Sequence, residues 1–514
     1  MRRSLTLAVL FALAACSSSP HARYFAYVPQ EEAPLPSGMN TESYARLDDN
    51  PFLLAQQNPL STFSIDVDTA SYSNVRRFLS SGTRPPKDAV RIEELVNYFP
   101  YRYPAPTGDS PFAVHSETLA CPWSPTHRLV KLGIKGRELE AKTRPAVNLV
   151  FLLDVSGSMA DSRKLPLLKK ALELLVTQLR EDDRVAIVVY AGASGLVLPS
   201  TAGSDKSRIL GALQELGAGG STHGAAGIEL AYRTAEEGFR KGGINRVILA
   251  TDGDFNVGTA SEGALTRLIE EKAKSGVALT VLGLGMGNYK DSMLEKLADK
   301  GNGNYAYLDT LQEAKKVLVE QASGTFVTIA KDVKLQLEFN PARVQAYRLI
   351  GYENRLLRSE DFNDDLKDAG DLGAGHTVTA LYEVVPVGEQ VELPLVDPLK
   401  YQRGGAVIAE GNELLTVKLR YKHPEGESSR VMSFAVMDGP ASEPSPDARF
   451  AAAVAEFGLL LRDSPHKGTS SWSGVLELAS SSVGEDPYRR EFLELVKRAQ
   501  ELGATTGARR RRAP

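Results

Sequence analysis

From three observations, the sequence predicts an α/β fold: a doubly wound, mainly parallel sheet inserted in a β-rich body, with C-terminal helices. Between residues 147 and 284, short apolar runs alternate with amphipathic segments, which is typical of a parallel sheet covered by helices on both faces. Residues 60–140 and 325–440 instead alternate apolar and polar positions like strands, and the helical period returns beyond residue 445. We expect the two strand-rich segments to pair into one body, because domain ends often lie close together and tolerate insertions.

Length and composition are those of a multi-domain globular protein. The chain has 514 residues, of which 42% are hydrophobic and 24% charged; whole-chain disorder and a polytopic membrane protein are therefore excluded. The 60 basic and 64 acidic side chains give a net charge of -4, so we expect no nucleic acid as a partner. The two cysteines, Cys16 and Cys121, are too few for a disulfide scaffold, and Cys121 is expected to be buried among apolar side chains.

The first residues have the pattern of an export signal. Two arginines precede an apolar stretch over residues 5–15, which as a helix would span about 16 Å, roughly half of a bilayer core. Residues 1–15 are therefore interpreted as a signal peptide. The sequence Leu-Ala-Ala-Cys at 13–16 resembles a bacterial lipobox, which implies cleavage before Cys16 and lipidation of its thiol. An ordinary signal peptide is the alternative.

The lipobox resemblance implies a lipid-anchored protein of the cell envelope. Ser17 follows the cysteine, where an aspartate commonly retains lipoproteins at the inner membrane, so the outer membrane, on the side facing the periplasm, is favoured. The inner membrane and the other face remain open. The expected segments are a signal peptide (1–15), a lipidated flexible tether (16–52), an N-terminal β-rich domain (53–143), an α/β domain (144–324), a C-terminal β-rich and helical domain (325–505) and a basic tail (506–514).

Within the α/β segment, strands and helices are expected to alternate. An apolar run at its start fits a strand buried on both faces, and amphipathic periods indicate the helices. The expected strands are 147–153, 185–190, 247–250 and 277–284, and the expected helices are 165–179, 209–216, 224–239 and 264–273.

The flanking segments are expected to be mostly strands. These are 63–68, 112–119, 128–135, 333–339, 377–385, 414–421 and 430–436, with a short helix over 71–79. Two C-terminal helices are expected over 447–461 and 486–502. Asp447 and Asp486 suit helix N-caps, and Pro487 suits the first helical position.

Three oxygen-bearing side chains follow the first apolar strand of the α/β segment, at the end where ligands bind in doubly wound sheets. They are Asp154, Ser156 and Ser158. A carboxylate and two hydroxyls suit hard cations such as Mg²⁺, Ca²⁺ or Mn²⁺, and the motif has no histidine or cysteine for zinc. Comparable oxygen groups occur in Gly-Gly-Ser-Thr at 219–222 and in Thr-Asp-Gly-Asp at 251–254.

This pattern resembles a von Willebrand factor type A (VWA) domain, a Rossmann-like domain that carries a metal-ion-dependent adhesion site. The resemblance implies five metal ligands, which are Asp154, Ser156, Ser158, Thr222 and Asp252. It also implies a divalent cation, Mg²⁺ before Mn²⁺ or Ca²⁺, with one octahedral position left for an Asp or Glu of a partner protein. The side chains that flank this site are Met159, His223 and Asp254.

The chain as a whole resembles the YfbK-like family of bacterial VWA lipoproteins. The segments that carry this resemblance lie on either side of the VWA motifs, at 58–72 and 373–382. The resemblance covers roughly residues 55–505 and identifies 53–143 as a von Willebrand-associated domain. It implies an architecture and an envelope location, but no substrate.

Three functions remain open from the sequence. The leading hypothesis is a non-enzymatic binding module, because the metal motif contains no nucleophile with an adjacent base. The second is a metal-dependent hydrolase or phosphatase that uses either the adhesion-site metal or Asp66 and Asp68. The segment Asp66-Val67-Asp68-Thr69 resembles the nucleophile motif of haloacid-dehalogenase phosphatases. The third is a structural scaffold whose metal only stabilises the sheet.

Overall fold

The computed structural model of the protein describes residues 42–139, 144–191, 194–220, 224–253, 261–390, 411–439 and 443–512. Its strands are β1 (Leu53–Leu54), β2 (Leu60–Ser64), β3 (Phe112–Ala120), β4 (Arg128–Gly136), β5 (Val147–Asp154), β6 (Arg184–Tyr190), β7 (Ser194–Ala202), β8 (Ile244–Thr251), β9 (Ala278–Leu284), β10 (Tyr305–Leu308), β11 (Thr328–Phe339), β12 (Val344–Ile350), β13 (Leu356–Leu357), β14 (Leu372–Gly373), β15 (Thr377–Pro386), β16 (Glu413–Lys422) and β17 (Ser429–Met437). Its α-helices are α1 (Ala70–Ser80), α2 (Ile92–Asn97), α3 (Leu165–Thr177), α4 (Lys206–Gln214), α5 (Gly224–Glu237), α6 (Glu262–Ala273), α7 (Asp291–Lys300), α8 (Leu311–Lys315), α9 (Ala322–Phe326), α10 (Pro446–Arg462), α11 (Trp472–Ser480) and α12 (Pro487–Arg512).

The inserted domain is built on a mixed sheet with the strand order β10-β9-β8-β5-β6-β7. All of these strands run parallel except β7, which runs antiparallel to β6 at one edge. Helices α3, α4 and α8 cover one face, and α5, α6 and α7 cover the other. The central strand β5 is buried along its whole length, as a strand covered on both faces requires. The predicted doubly wound, mainly parallel sheet is confirmed.

Two antiparallel sheets form the β-rich body, with the orders β1-β12-β15-β4-β3 and β13-β2-β11-β16-β17. Both combine strands from the two ends of the chain, because β4 pairs with β15 and β2 pairs with β11. Apolar side chains of the two sheets share one core, which includes Phe63, Val130, Leu335 and Val417. The two flanking segments therefore pair into one body, and the α/β domain is inserted between β4 and β11, as predicted.

A helical layer also combines both ends of the chain, because α1 and α2 share one apolar core with α10, α11 and α12. In α10, Ser445 rather than Asp447 is the N-cap, since Pro446 takes the first helical position. Asp486 accepts hydrogen bonds from the first backbone amides of α12, and this helix continues past its expected end to Arg512. Among the residues that the structure describes, no helix combines the length and the apolar character needed to cross a bilayer.

Other elements differ from the sequence prediction. The strand expected over 63–68 ends at Ser64, because the carboxylate of Asp66 turns the chain by accepting a hydrogen bond from the backbone amide of Asp68. Among the elements that the sequence did not predict are β7, α7 and β10. Strand β7 is a partly exposed edge strand without a long apolar run, and β10 has only four residues, so neither has a strong periodic signal.

The described part of the predicted tether contacts the inserted α/β domain. The carboxylate of Glu42 accepts hydrogen bonds from the guanidinium group of Arg77 and, at 2.7 Å, from the backbone amide of Gly287. Ser43 forms a β-bridge with Lys290 in the same loop of the α/β domain. These contacts hold the last part of the segment 16–52 on the folded domain, whereas the sequence predicted a flexible tether there.

Candidate metal site

The candidate metal site lies where two neighbouring parallel strands end. β5 pairs with β8 in parallel register, with Leu153 opposite Ala250. Asp154 is the last residue of β5, and Asp252 directly follows β8. Because the strands are adjacent and parallel, their carboxyl ends place both aspartates at the same edge of the sheet.

The first loop holds its polar groups close together. The carboxylate of Asp154 accepts a hydrogen bond from the backbone amide of Ser156 at 2.9 Å. The hydroxyl oxygens of Ser156 and Ser158 are 3.0 Å apart. Asp154 and Ser156 are buried, whereas Ser158 is exposed. These three predicted ligands are therefore neighbours, and Ser158 lies on the solvent side.

The carboxylate of Asp252 has two polar partners that the sequence analysis missed. The ammonium group of Lys164 lies 2.7 Å from Asp252 Oδ2, and the side-chain amide of Asn288 donates to the same oxygen at 3.3 Å. Lys164 directly precedes α3, and Asn288 lies in the loop between β9 and α7. Neither residue has a sequence signal, because a lysine and an asparagine in loops are common and their meeting depends on the fold.

Two hydroxyl groups orient the carboxylate of Asp154. The Thr251 hydroxyl donates to Asp154 Oδ2 at 3.0 Å, and the Tyr190 hydroxyl lies 3.3 Å from the same oxygen. These residues end β8 and β6, the two neighbours of β5. Because Thr251 and Tyr190 lie at the ends of predicted strands, both could have been identified from the sequence as neighbours of the site.

The Gly-rich turn of the second loop is hydrogen-bonded to the first loop. The backbone amide of Gly219 donates to the carbonyl of Val155 at 2.7 Å, and the amide of Gly157 donates to the carbonyl of Gly220 at 3.2 Å. The turn that leads to the fourth predicted ligand is thus held beside the first three. The predicted residues that lie outside the described part of the chain are Cys16, Thr222, His223 and Asp254.

The two buried carboxylates at this edge, those of Asp154 and Asp252, are stabilised by nearby positive charge. Burial raises the pKa of Asp154, and the nearby charge of Asp252 adds to the rise, although hydrogen bonds from Ser156 and Thr251 oppose it. Two buried carboxylates at one edge are stable only beside cations or strong hydrogen-bond donors. The predicted ligands described here are carboxylates and hydroxyls, a set that fits a hard divalent cation of the Mg²⁺ type.

A second acidic cluster is formed by residues of the body and of α7. Carboxylate oxygens of Asp66, Glu94 and Glu295 lie within 4.8 Å of one another. The guanidinium groups of Arg91 and Arg355 form ion pairs with all three side chains. Asp66 follows β2 of an antiparallel sheet, not a strand of a Rossmann-like sheet. The cluster is therefore a buried ion network between two parts of the protein, and it does not contain any of the ligands predicted from the VWA motif.

The fold is that of a VWA-domain protein, a class that generally mediates protein–protein interaction. The family described as "von Willebrand factor type A domain" matches residues 148–321. Two further families match the flanking segments: "von Willebrand factor" over 38–131 and "Uncharacterized protein YfbK, C-terminal" over 324–502. The chain belongs to the YfbK family, because it is 46% identical to the Escherichia coli (strain K12) protein YfbK over 487 residues, which cover 92% of this chain and 84% of that protein.

Two more distant similarities are to a protein that matches part of the chain and to a solved structure. The magnesium-chelatase 60 kDa subunit of Rhodobacter capsulatus is 31% identical over 159 residues, which cover 30% of this chain and 27% of that subunit. Among solved structures, "von Willebrand factor type A from Catenulispora acidiphila" is 17% identical, with a TM-score of 0.42, and the match covers 75% of this chain and 89% of that one.

Proposed function

We propose that this protein is a cell-envelope lipoprotein that binds another protein through a divalent cation at the edge of its VWA sheet. The observation that carries the proposal is the convergence of Asp154, Ser156 and Ser158 with Asp252 at the ends of β5 and β8. With Thr222, these side chains would hold Mg²⁺, or alternatively Mn²⁺ or Ca²⁺.

The cation would supply a positive charge for an Asp or Glu of the partner protein. Only Asp154 and Asp252 among the five proposed ligands are anionic, which leaves room in charge and in coordination for one further carboxylate. The exposure of Ser158 indicates the side from which that carboxylate would approach. The hydroxyl of Thr251 and the amine of Lys164, which contact carboxylates at this edge, belong to buried residues. A nucleophile needs access to a substrate, so we propose a binding module and not an enzyme.

In one form of the alternative hydrolase, the reaction would use Asp66 and Asp68 and not the adhesion-site metal. Both carboxylates contact the guanidinium group of Arg355, and the carboxylate of Asp68 accepts a hydrogen bond from the backbone amide of Tyr305 at 2.8 Å. A nucleophilic carboxylate needs access to a substrate, whereas these side chains are buried in an ion network. Their contacts favour a structural role.

Lipid anchoring is a separate part of the proposal. Cys16 would carry the lipid after removal of residues 1–15, and the protein would face the periplasm from the outer membrane. The lipobox pattern and the polar Ser17 support this placement. Mass spectrometry of the mature N-terminal peptide is expected to show an acylated Cys16, and Cys16→Ala is expected to move the protein out of the membrane fraction. An unmodified thiol would contradict the anchor.

The metal-dependent function is tested on the full-length protein in detergent. Calorimetric titration with Mn²⁺ is expected to show one site that Asp154→Ala abolishes. The same proteins then capture envelope proteins in Mg²⁺ and in EDTA. A protein retained only by the wild type, and only with metal, is the expected result, whereas identical retention in all conditions overturns the mechanism. If Asp154→Ala lowers the melting temperature but leaves every partner bound, the metal has the scaffold role.

A further inference from the structure

Lys164 is a buried cation at the edge where the metal is proposed to bind. Its side chain is 9% exposed, and its ammonium group donates to Asp252 Oδ2 at 2.7 Å. The aliphatic part of this side chain crosses Gly285, which has a φ of +79° and where a Cβ would lie 2.2 Å from Lys164 Cε. An ordinary surface lysine turns its ammonium group to water. Lys164 is instead held against the carboxylate by a glycine that leaves space for it.

The charges at this edge determine how the contact between Lys164 and Asp252 affects the binding of a cation and of an anion. The carboxylates of Asp154 and Asp252 together cancel the charge of a divalent cation, and Lys164 then leaves the site with a net positive charge. An ammonium group in this position repels a metal cation and competes for an oxygen of Asp252. It also attracts an anion that arrives from outside.

We propose that Lys164 is a positioning residue that weakens cation binding at Asp252 and strengthens binding of the partner's carboxylate. This inference rests on the proposed function, because it requires a divalent cation at this edge. Asn288 supports the arrangement, since its amide donates to the same carboxylate oxygen and its carbonyl oxygen lies 3.5 Å from Lys164 Nζ. The acidic partner is thus attracted by two cationic groups, the metal ion and the ammonium group of Lys164.

The test compares Lys164→Met with the wild type as full-length proteins in detergent. Calorimetric titration with Mn²⁺ is expected to show binding at least about tenfold tighter in the variant, because a buried positive charge beside the cation has been removed. Acetate is the probe for the partner's carboxylate. Its binding to the Mn²⁺-loaded variant, followed by water-proton relaxation, is expected to be at least about tenfold weaker.

A matched control is Arg163→Met, which removes a positive charge from the preceding residue. The Arg163 side chain is 58% exposed and pairs with Asp161, so this change is expected to alter both affinities by less than about twofold. Lys164→Gln removes the charge but keeps a hydrogen-bond donor, and it replaces the methionine variant if that protein does not fold.

The outcomes separate the inference from the proposed function. Mn²⁺ binding that is equal or weaker in Lys164→Met, in a protein with unchanged thermal unfolding, overturns the role of Lys164 and leaves the metal site intact. Tighter Mn²⁺ binding with unchanged acetate binding overturns the part that concerns the partner's carboxylate. A wild-type protein that does not bind Mn²⁺ overturns the proposed function and this inference with it.

Discussion

Arg355 joins the body to the VWA domain through ion pairs with both, and its removal is expected to destabilise the protein. Its hydrogen-bond acceptors are the carboxylates of Asp66, Asp68, Glu295 and Asp299. The first two belong to the body and the other two to α7, and the arginine side chain is only 12% exposed. Arg355→Met keeps much of the apolar stem but leaves the four carboxylates, of which all but Asp299 are buried, without their shared cation.

The expected loss of stability in Arg355→Met follows from the burial of the charged groups. Removing one partner of a buried ion pair costs about 3–5 kcal/mol. Burial already raises the pKa values of Asp68 and Glu295, and Arg355 opposes that rise. In the variant these pKa values rise further, so the folded state binds protons that the unfolded state does not. The free energy of unfolding is therefore expected to fall by about 3 kcal/mol or more at pH 8 and by less at pH 5.

Differential scanning calorimetry at the two pH values checks this expectation. For a cooperative unit of about 150–250 residues, 1 kcal/mol corresponds to about 2–4 °C, so the melting temperature should fall by roughly 6–12 °C or more at pH 8. Arg358→Met is the control, because the Arg358 side chain is 80% exposed and its guanidinium group lies 4.0 Å from the carboxylate of Glu360. If the two variants melt within about 2 °C of each other at pH 8, the buried network does not stabilise the protein as argued.

Three further predictions concern Glu93, two glycines and Cys121. Glu93 is buried, and burial, together with the charge of Glu353, raises its pKa from 4.5 to about 8. Stability should therefore fall as the pH rises from 4.5 to 8, and Glu93→Gln should flatten that slope in thermal unfolding at pH 5 and pH 8. Gly303→Ala should destabilise the protein by about 1–3 kcal/mol, because the added Cβ would lie 1.8 Å from the carbonyl oxygen of Leu279. Gly211→Ala in α4 should instead stabilise the protein by about 1 kcal/mol in urea unfolding, because no atom outside its own helix lies within 4 Å of the added Cβ. Burial raises the pKa of the Cys121 thiol far above its usual range, so Cys121 should react with a chromogenic disulfide reagent only after unfolding, and rapid labelling of the folded protein would contradict its placement in the core.

The positions of Asp154 and Asp252 could be predicted because they depend on local patterns. Each follows an apolar run long enough to indicate a buried strand, and the doubly wound fold brings such strand ends to one edge. The burial of Cys121 was predicted from its apolar surroundings and is confirmed.

Contacts between distant loops could not be predicted in this way. Lys164 meets Asp252, and Arg355 meets Asp66, only after the sheets have formed, and charged residues of ordinary frequency give no sign of which partner they will find. The edge strand β7 was missed for a related reason. β7 pairs with a neighbouring strand, β6, along one edge only, and it is partly exposed. Its residues therefore need not be apolar, and the apolar pattern that identifies central strands is weak there.

The pairing of β2 with β11 and of β4 with β15 constrains the order in which the chain can fold. The first four strands are synthesised before any of their C-terminal partners, and the whole VWA domain lies between the two sets. Early in folding, β2 and β4 therefore present unpaired backbone, which is the usual starting point of aggregation. The VWA sheet contains all of its own strands between Val147 and Leu308, and it can close first and bring the two ends of the chain together. A mutation that slows the folding of this central domain would then expose the N-terminal strands for longer, even where it leaves the native structure unchanged.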